Sequence, residues 1–149
     1  MRALTAFVLL LLLGVAVAGN PSPAVNRRVI NLPGRTDTLP FSNAVLAGDT
    51  LYLSGTIGID PATGRPPANI EDEARLVLDN LKRVLEAAGM SMEDLVSVTV
   101  YCPDLSLYDR FNAVYRTYFA RELPARAFIG SGPLLRGGHF EVQGIAVRR

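Results

Sequence analysis

An apolar stripe that repeats every three or four residues between Ile70 and Ala88 is the feature that most constrains the fold of this sequence. Its members are Ala74, Val77, Leu78, Leu81, Val84, Leu85 and Ala88. This spacing predicts an amphipathic helix, and Gly89 follows at a position where helix C-termini favour glycine. Because a helix with one apolar side must bury that side, the chain needs a second layer that packs against it.

Short apolar runs separated by turn residues predict that this second layer is a β-sheet. The clearest pair of runs flanks Gly48-Asp49, as in a hairpin, and residues 96–101 alternate apolar with polar side chains, as in a half-buried strand. The predicted strands are residues 44–47, 50–54, 96–101, 127–129 and 140–147, while residues 28–32 fit either a short strand or an arm.

A second, shorter helix is predicted after Pro103, with Ser106 as its N-cap and Asp109 near the positive end of its dipole. The element order β-β-α-β-α-β-β then predicts an α+β fold in which two helices cover one face of a mixed β-sheet. The opposite face of the sheet would be left open to water, so we expect the protein to form a cyclic oligomer.

The N-terminal segment has the three parts of a secretory signal. Met1-Arg2 carries one positive charge, an apolar run follows, and Ala16-Val17-Ala18 matches a cleavage site. Cleavage after Ala18 would leave a loose leader, residues 19–27, and one domain, residues 28–149, in the periplasm or outside the cell. A retained membrane anchor is the alternative, although the run falls slightly short of the roughly 18 apolar residues that a span needs.

Charge and composition argue against several classes of function. Loss of Arg2 with the signal would reduce the 15 basic residues to 14, equal to the 14 acidic ones, so the mature chain lacks the basic footprint of nucleic-acid-binding proteins. With His139 as its only histidine, the chain is poorly supplied for a histidine metal site or a Ser-His-Asp triad. We interpret the only cysteine, Cys102, as a buried structural thiol.

The strongest chemical signal is Arg126, which follows Pro124-Ala125 before one predicted strand, together with Glu141 at the start of the last strand. A fixed guanidinium can bind a carboxylate through two parallel hydrogen bonds. A carboxylic acid on an adjacent strand could position a water molecule or transfer a proton. The alternative is that Arg126 and Glu141 pair with each other or face solvent, because structural ion pairs are common.

Several short segments resemble the RidA (YjgF) family across residues 28–149. The segments are residues 40–45, 53–57, 60–64, 80–89, 94–96, 111–115, 124–126 and 141–149. Each segment alone is a modest match, and their order and spacing together make the match specific.

The resemblance implies a chorismate-mutase-like α+β fold that assembles as a homotrimer with three sites at subunit interfaces. It also implies hydrolysis of short enamines and imines, such as 2-aminoacrylate, to a 2-oxo acid and ammonia, without a metal or an organic cofactor. Arg126 would bind the carboxylate of the substrate, and Glu141 would handle the water molecule. The other pocket residues that the resemblance implies are Ser54, Asn112, Phe41 and, through its backbone, Phe128.

Four positions depart from the family pattern and make the pocket more apolar. Phe41, Ala127, Thr56 and Leu135 stand where the family has Tyr, Ser, Gln and Pro.

Two other functions therefore stay open. One is a catalytically idle trimer that binds a small metabolite or a partner. The other is RNA cleavage, for which parts of the family are called endoribonucleases and which the neutral charge disfavours. The expected partners are a small carboxylate-bearing metabolite and further copies of the chain, with no nucleic acid and no membrane.

Overall fold

A computed structural model of the chain describes residues 26–35 and 38–149. The expected signal peptide, residues 1–18, and residues 19–25 of the expected leader lie outside the described residues. The elements of the described part are β1 (Arg27–Ile30), β2 (Ala44–Ala47), β3 (Thr50–Ile57), α1 (Ile70–Ala87), β4 (Leu95–Cys102), α2 (Tyr108–Tyr115), β5 (Ala125–Gly130) and β6 (Glu141–Val147).

The strands form a single mixed sheet in the order β1-β2-β3-β6-β4-β5. Neighbouring strands are antiparallel except β4 and β5, which are parallel. The last strand of the chain therefore lies in the middle of the sheet, where it joins the hairpin half to the half that contains β4 and β5. The predicted fold class, a mixed sheet with two helices, is confirmed.

One face of the sheet and the inner sides of both helices form the core. Strand residues such as Leu51, Val100 and Val142 are fully buried there, as are Leu78 and Leu85 from the apolar stripe of α1. The predicted helix over residues 70–88 agrees with α1 to within one residue. Its start is fixed by the Asn69 side chain, which accepts a hydrogen bond from the backbone N–H of Asp72, and Gly89 after its end has a φ of 75°.

Two local details differ from the sequence-based expectations. Ser106 is not the N-cap of α2, because the Asp104 side chain accepts a hydrogen bond from the Ser106 backbone N–H at 2.9 Å and starts a short 3-10 turn, so that α2 begins only at Tyr108. Residues 28–32 are resolved in favour of a strand, β1, which ends at Ile30 and begins at Arg27, the last residue assigned to the leader.

Cys102 is buried as expected, and burial raises the pKa of its thiol. The thiol lies 3.0 Å from the Asp104 carbonyl oxygen, to which it can donate a hydrogen bond. Burial together with a raised pKa makes this cysteine a poor nucleophile, which fits the structural role predicted for it.

The face of the sheet opposite the helices carries several large apolar side chains that remain exposed. They are Val29, Tyr52, Ile129, Ile145 and Val147, with exposed fractions between 36% and 52%. Strand register places Val29, Tyr52 and Ile145 in one row across the sheet. We refer to this surface as the open face. Over residues 26–35 and 38–149, none of the helices has the length and apolar character needed to cross a bilayer.

Candidate functional site

Glu141 is the first residue of β6 and lies in register with Ile57 on β3 and Tyr101 on β4. The register of β3 shifts between Leu53 and Thr56, and Gly55 within this irregularity makes room for the Glu141 carboxylate. A Cβ atom on Gly55 would lie only 2.1 Å from Oε1 of Glu141. The absence of a side chain at position 55 is therefore what lets the carboxylate occupy this place.

A pocket of about 620 Å³ opens in front of this carboxylate. Its residues are Leu39, Phe41, Ser54, Gly55, Ile57, Ile59, Leu135, Arg136, Glu141 and Gln143. Three of the predicted site residues, Phe41, Ser54 and Glu141, are thus brought together. We call this cavity the Glu141 pocket.

The hydroxyl of Ser54 is already committed as a donor, because it donates a 2.6 Å hydrogen bond to the Ser42 carbonyl oxygen. Its remaining lone pairs can accept a hydrogen bond, so Ser54 would meet a ligand as an acceptor. Phe41 is 47% exposed, and its ring lies 5.0 Å from the guanidinium carbon of Arg35. Phe41 therefore offers the pocket an apolar wall without a hydroxyl.

Arg126 lies on β5 against α2, where its Nη2 donates a 2.6 Å hydrogen bond to Oδ1 of Asn112. Its guanidinium carbon lies 4.5 Å from the ring centroid of Tyr115 and 5.8 Å from the centroids of Tyr108 and Phe128. A second group therefore contains the predicted site residues Arg126 and Asn112 together with the side chain of Phe128, a residue predicted to act through its backbone. Stacking on aromatic faces is a common way to hold a guanidinium in one orientation.

This guanidinium has a spare donor. Nη1 of Arg126 is buried and has no hydrogen-bond partner among the described residues, and the same holds for the Tyr115 hydroxyl. Burial raises the pKa of Tyr115 to about 12, with the nearby charge of Arg126 acting in the opposite direction. The phenol is thus neutral at physiological pH, and Arg126 carries a positive charge without an ion-pair partner and an Nη1 without a hydrogen-bond acceptor among the described residues.

The predicted backbone role of Phe128 stays a prediction; Phe128 lies on β5, the edge strand of the sheet. An edge strand leaves one row of its N–H and C=O groups unpaired by another strand. Such a row of groups is available in general for pairing with a further strand or chain.

Arg126 and Glu141 do not lie together within one protomer, and the expectation that they occupy adjacent strands is wrong. β4 separates their strands, since β6 pairs with one edge of β4 and β5 with the other. Arg126 is in register with Val98, whose side chain is buried under the helices, whereas Glu141 is in register with Tyr101 on the opposite face. Because side chains alternate between the faces of a sheet, one protomer cannot present both groups to one small ligand.

The alternative that the two groups neutralise each other is also excluded. Arg126 bonds to Asn112, and within residues 26–35 and 38–149 neither Arg126 nor Glu141 takes part in an ion pair.

Sequence reasoning missed Glu73, a fully buried carboxylate on α1 that contacts His139 and Phe140 just before Glu141. The signal for it was present, because Glu73 lies three residues after Ile70 and four before Val77 and so falls within the apolar stripe. A charged residue at such a position has to find buried partners.

Comparisons with known proteins agree with this architecture. The sequence model of the family described as Endoribonuclease L-PSP matches residues 35–148. The 2-iminobutanoate/2-iminopropanoate deaminase of Mus musculus is 39% identical over 110 residues, which cover 73% of this chain and 82% of the mouse protein.

Two solved structures are similar to the whole described domain. RidA from the Antarctic bacterium Psychrobacter sp. is 32% identical with a TM-score of 0.74, and the match covers 81% of this chain and 99% of that one. TdcF from E. coli, solved with bound serine, is 33% identical with a TM-score of 0.75 and a coverage of 82% and 99%. The chain therefore belongs to the RidA/YjgF family, the family described as Endoribonuclease L-PSP.

Proposed function

We propose that the protein hydrolyses short 2-imino acids and their enamine forms, of the 2-aminoacrylate type, to 2-oxo acids and ammonia. The observation that carries this proposal is that Arg126 is free to bind an anion. Its Nη1 has no hydrogen-bond partner among the described residues, its guanidinium lies over the ring of Tyr115, and it does not pair with Glu141. The name of the mouse relative supports the reaction class. The serine in TdcF supports a ligand that carries a carboxylate on a short carbon chain.

The complete site of this proposal lies between two protomers of a homotrimer. Arg126 of one protomer faces the pocket that holds Glu141 of its neighbour, so that three equivalent interfaces give three sites. Two observations support this arrangement. Arg126 and Glu141 lie on opposite faces of the sheet in one protomer, and the open face carries apolar side chains such as Tyr52 and Ile145 that an assembly would cover.

Binding in this site would depend on the carboxylate of the substrate. Nη1 of Arg126 donates to one carboxylate oxygen, and hydrogen bonds to a charged group of this kind contribute about 1.5–3 kcal/mol each. The substrate binds as the protonated imine, the iminium ion, and Ser54, whose hydroxyl proton is used by Ser42, accepts a hydrogen bond from one of its N–H groups. These contacts leave the electrophilic carbon facing Glu141.

Hydrolysis then needs a water molecule and one proton acceptor. The Glu141 carboxylate orients the water and accepts its proton as the oxygen adds to the iminium carbon. The protonated Glu141 returns that proton to the nitrogen of the resulting carbinolamine, the C–N bond breaks, and ammonia leaves. The hydroxyl proton passes to Glu141 as the carbonyl forms, and release of that proton restores the starting carboxylate. Positioning rather than a covalent nucleophile supplies the catalysis.

Ammonia release from imines that an amino-acid oxidase generates in situ tests the proposal. We expect the purified protein to exceed the buffer rate, Arg126→Ala to raise KM, and Glu141→Gln to lower kcat. Arg121→Ala, at an exposed arginine, is the matched control and should behave as wild type.

Other outcomes would replace the proposal. A wild-type protein that pyruvate stabilises against heat but that releases no ammonia above buffer would be a metabolite-binding protein instead. RNA cleavage that persists through further purification and in Arg126→Ala would favour a nuclease.

The place of action is a separate proposal, which the sequence of residues 1–18 supports. We propose that the chain is exported and cleaved after Ala18. Mass spectrometry of the protein recovered from its native host should give an N-terminus at Gly19. A chain that keeps Met1 and stays in the cytoplasm or the membrane fraction would contradict export.

A further inference from the structure

A buried carboxylate fastens the segment that leads into β6. Glu73 lies in the first turn of α1, and its side chain is 0% exposed, which no other charged side chain in the described part of the chain matches. Oε1 accepts hydrogen bonds from the backbone N–H groups of His139 at 2.6 Å and of Phe140 at 3.3 Å. Oε2 lies 2.7 Å from Nδ1 of His139. Both oxygens are thus committed to two consecutive residues.

The backbone around Glu73 is closely packed. A Cβ atom on Gly58 would lie 2.6 Å from the backbone oxygen of Glu73 and 2.9 Å from its Cγ. Gly58 directly follows Ile57, the residue of β3 that is in register with Glu141. Glu73 therefore lies between the end of β3 and the start of β6, the two strand ends that line the Glu141 pocket.

Phe140 transmits this attachment to its neighbour in the chain. Its backbone N–H bonds to Glu73, its side chain is 0% exposed, and its ring lies 4.8 Å from the ring of Phe111. A residue held at both its backbone and its ring leaves the backbone of Glu141, which follows it, little freedom to shift.

A charged residue is an unfavourable choice if filling the core is the only requirement, because well-packed apolar residues are often at least as stabilising as a buried charge with its partners. The carboxylate differs from an apolar side chain in forming directional hydrogen bonds, which fix where two backbone N–H groups lie. We propose that Glu73 is a positioning residue that holds residues 139 and 140 so that the Glu141 carboxylate stays over Gly55. This inference rests on the proposed function of Glu141.

Kinetics of three variants of the full protein test the inference. Glu73→Ala removes the acceptors, Glu73→Gln keeps one oxygen for the two backbone N–H groups, and Glu86→Ala is a control at an exposed glutamate of the same helix. A displacement of about 1 Å in a catalytic group can reduce the rate about 100-fold, so we expect Glu73→Ala to lower kcat about ten- to hundredfold at unchanged KM. The kcat of Glu73→Gln should stay within about threefold of wild type, and the kcat of Glu86→Ala should equal that of wild type.

A merely structural role would give a different pattern. Loss of activity in Glu73→Ala that only follows the fraction of folded protein, or a Glu73→Gln variant as impaired as Glu73→Ala, would overturn the inference. So would a Glu73→Ala variant with the kcat of wild type.

Hydrogen exchange separates this inference from the proposed function. We expect the backbone amides of His139 and Phe140 to exchange faster in Glu73→Ala while the amides of α1 keep their protection. A wild-type protein without imine hydrolysis would refute the proposed function, and unchanged exchange at residues 139 and 140 would refute the positioning role. If Glu73→Ala does not fold, Glu73→Leu replaces it, because leucine fills similar space without offering an acceptor to the two backbone N–H groups. Unchanged kcat and unchanged exchange in that variant would count against the role of Glu73.

Discussion

Gly55→Ala is the substitution that probes the proposed site most sharply, because it moves the Glu141 carboxylate without removing it. The added Cβ would lie 2.1 Å from Oε1 of Glu141, 3.1 Å from its Cδ and 3.3 Å from its Cγ. Gly55 does not have a positive φ, so alanine meets no backbone strain at this position. The conflict is therefore with the Glu141 side chain alone.

The size of the effect follows from these distances. Ordinary van der Waals contact begins near 3.4 Å, whereas the added Cβ would lie 2.1 Å from Oε1 of Glu141. The oxygen must therefore move away by at least 1.3 Å. A misplacement of about 1 Å can reduce the rate about 100-fold, and we expect a decrease of this order in kcat. The free energy of unfolding should change little, because the half-buried Glu141 side chain can rotate away. A Gly→Ala change at a permitted backbone conformation also contributes about 0.4–1 kcal/mol of stabilisation.

Gly132→Ala is the matched control, because a Cβ atom at Gly132 would meet nothing within 4 Å. Both variants are compared with wild type for ammonia release from imines made in situ and for thermal unfolding. We expect Gly132→Ala to keep the kcat of wild type and Gly55→Ala to lose it at nearly unchanged melting temperature. If Gly55→Ala keeps its kcat within about twofold, the carboxylate of Glu141 is not the group that handles water.

Four further predictions concern binding and stability. Arg126→Lys should weaken pyruvate binding about tenfold or more in calorimetry, because lysine keeps the charge but cannot bond to Asn112 and to the carboxylate of the ligand through two separate nitrogen atoms; equal affinity would refute this role of the guanidinium. Phe111→Ala removes a fully buried ring that packs against the rings of Phe128 and Phe140 and should lower the free energy of unfolding in urea by about 3–5 kcal/mol, and a loss below about 1 kcal/mol would contradict this packing. Tyr115→Phe should not lower the melting temperature, because the hydroxyl has no partner among the described residues; a clear decrease would reveal one. The bond from Arg110 lowers the pKa of Glu71 to about 2, so the stability that this pair contributes is present above the ordinary glutamate pKa and is lost as pH falls towards 2. Wild type should therefore exceed Arg110→Ala in stability at neutral pH, with no difference near pH 2, and a difference that persists in acid would contradict this assignment.

The sequence was sufficient for the elements because their signals are local. The apolar stripe of α1 and the alternation in β4 are periodic over single segments, and both elements lie where the periodicity predicts. The error at Ser106 has a local cause as well, since Asp104 is an equally good capping residue two positions earlier and its side chain forms the hydrogen bond.

The position of β6 could not be read from local patterns. Placement of the last strand between β3 and β4 depends on long-range pairing, and this placement separates Glu141 from Arg126. The local sequence pointed to both residues and the resemblance to a family gave them a shared site, whereas the strand register shows that one protomer does not bring them together. Glu73 was missed because apolar periodicity does not mark a charged residue that lies on the buried side of the helix.

In the proposed trimer, each site uses Arg126 from one protomer and Glu141 from another. Co-expression of Arg126→Ala and Glu141→Gln chains tests it directly, because each variant alone lacks one group at every site. If the chains mix at random in equal amounts, about one quarter of the sites combine an intact Arg126 with an intact Glu141. We predict that the mixed assemblies recover about one quarter of the wild-type rate of ammonia release, whereas mixed assemblies as inactive as either parent would contradict the shared site.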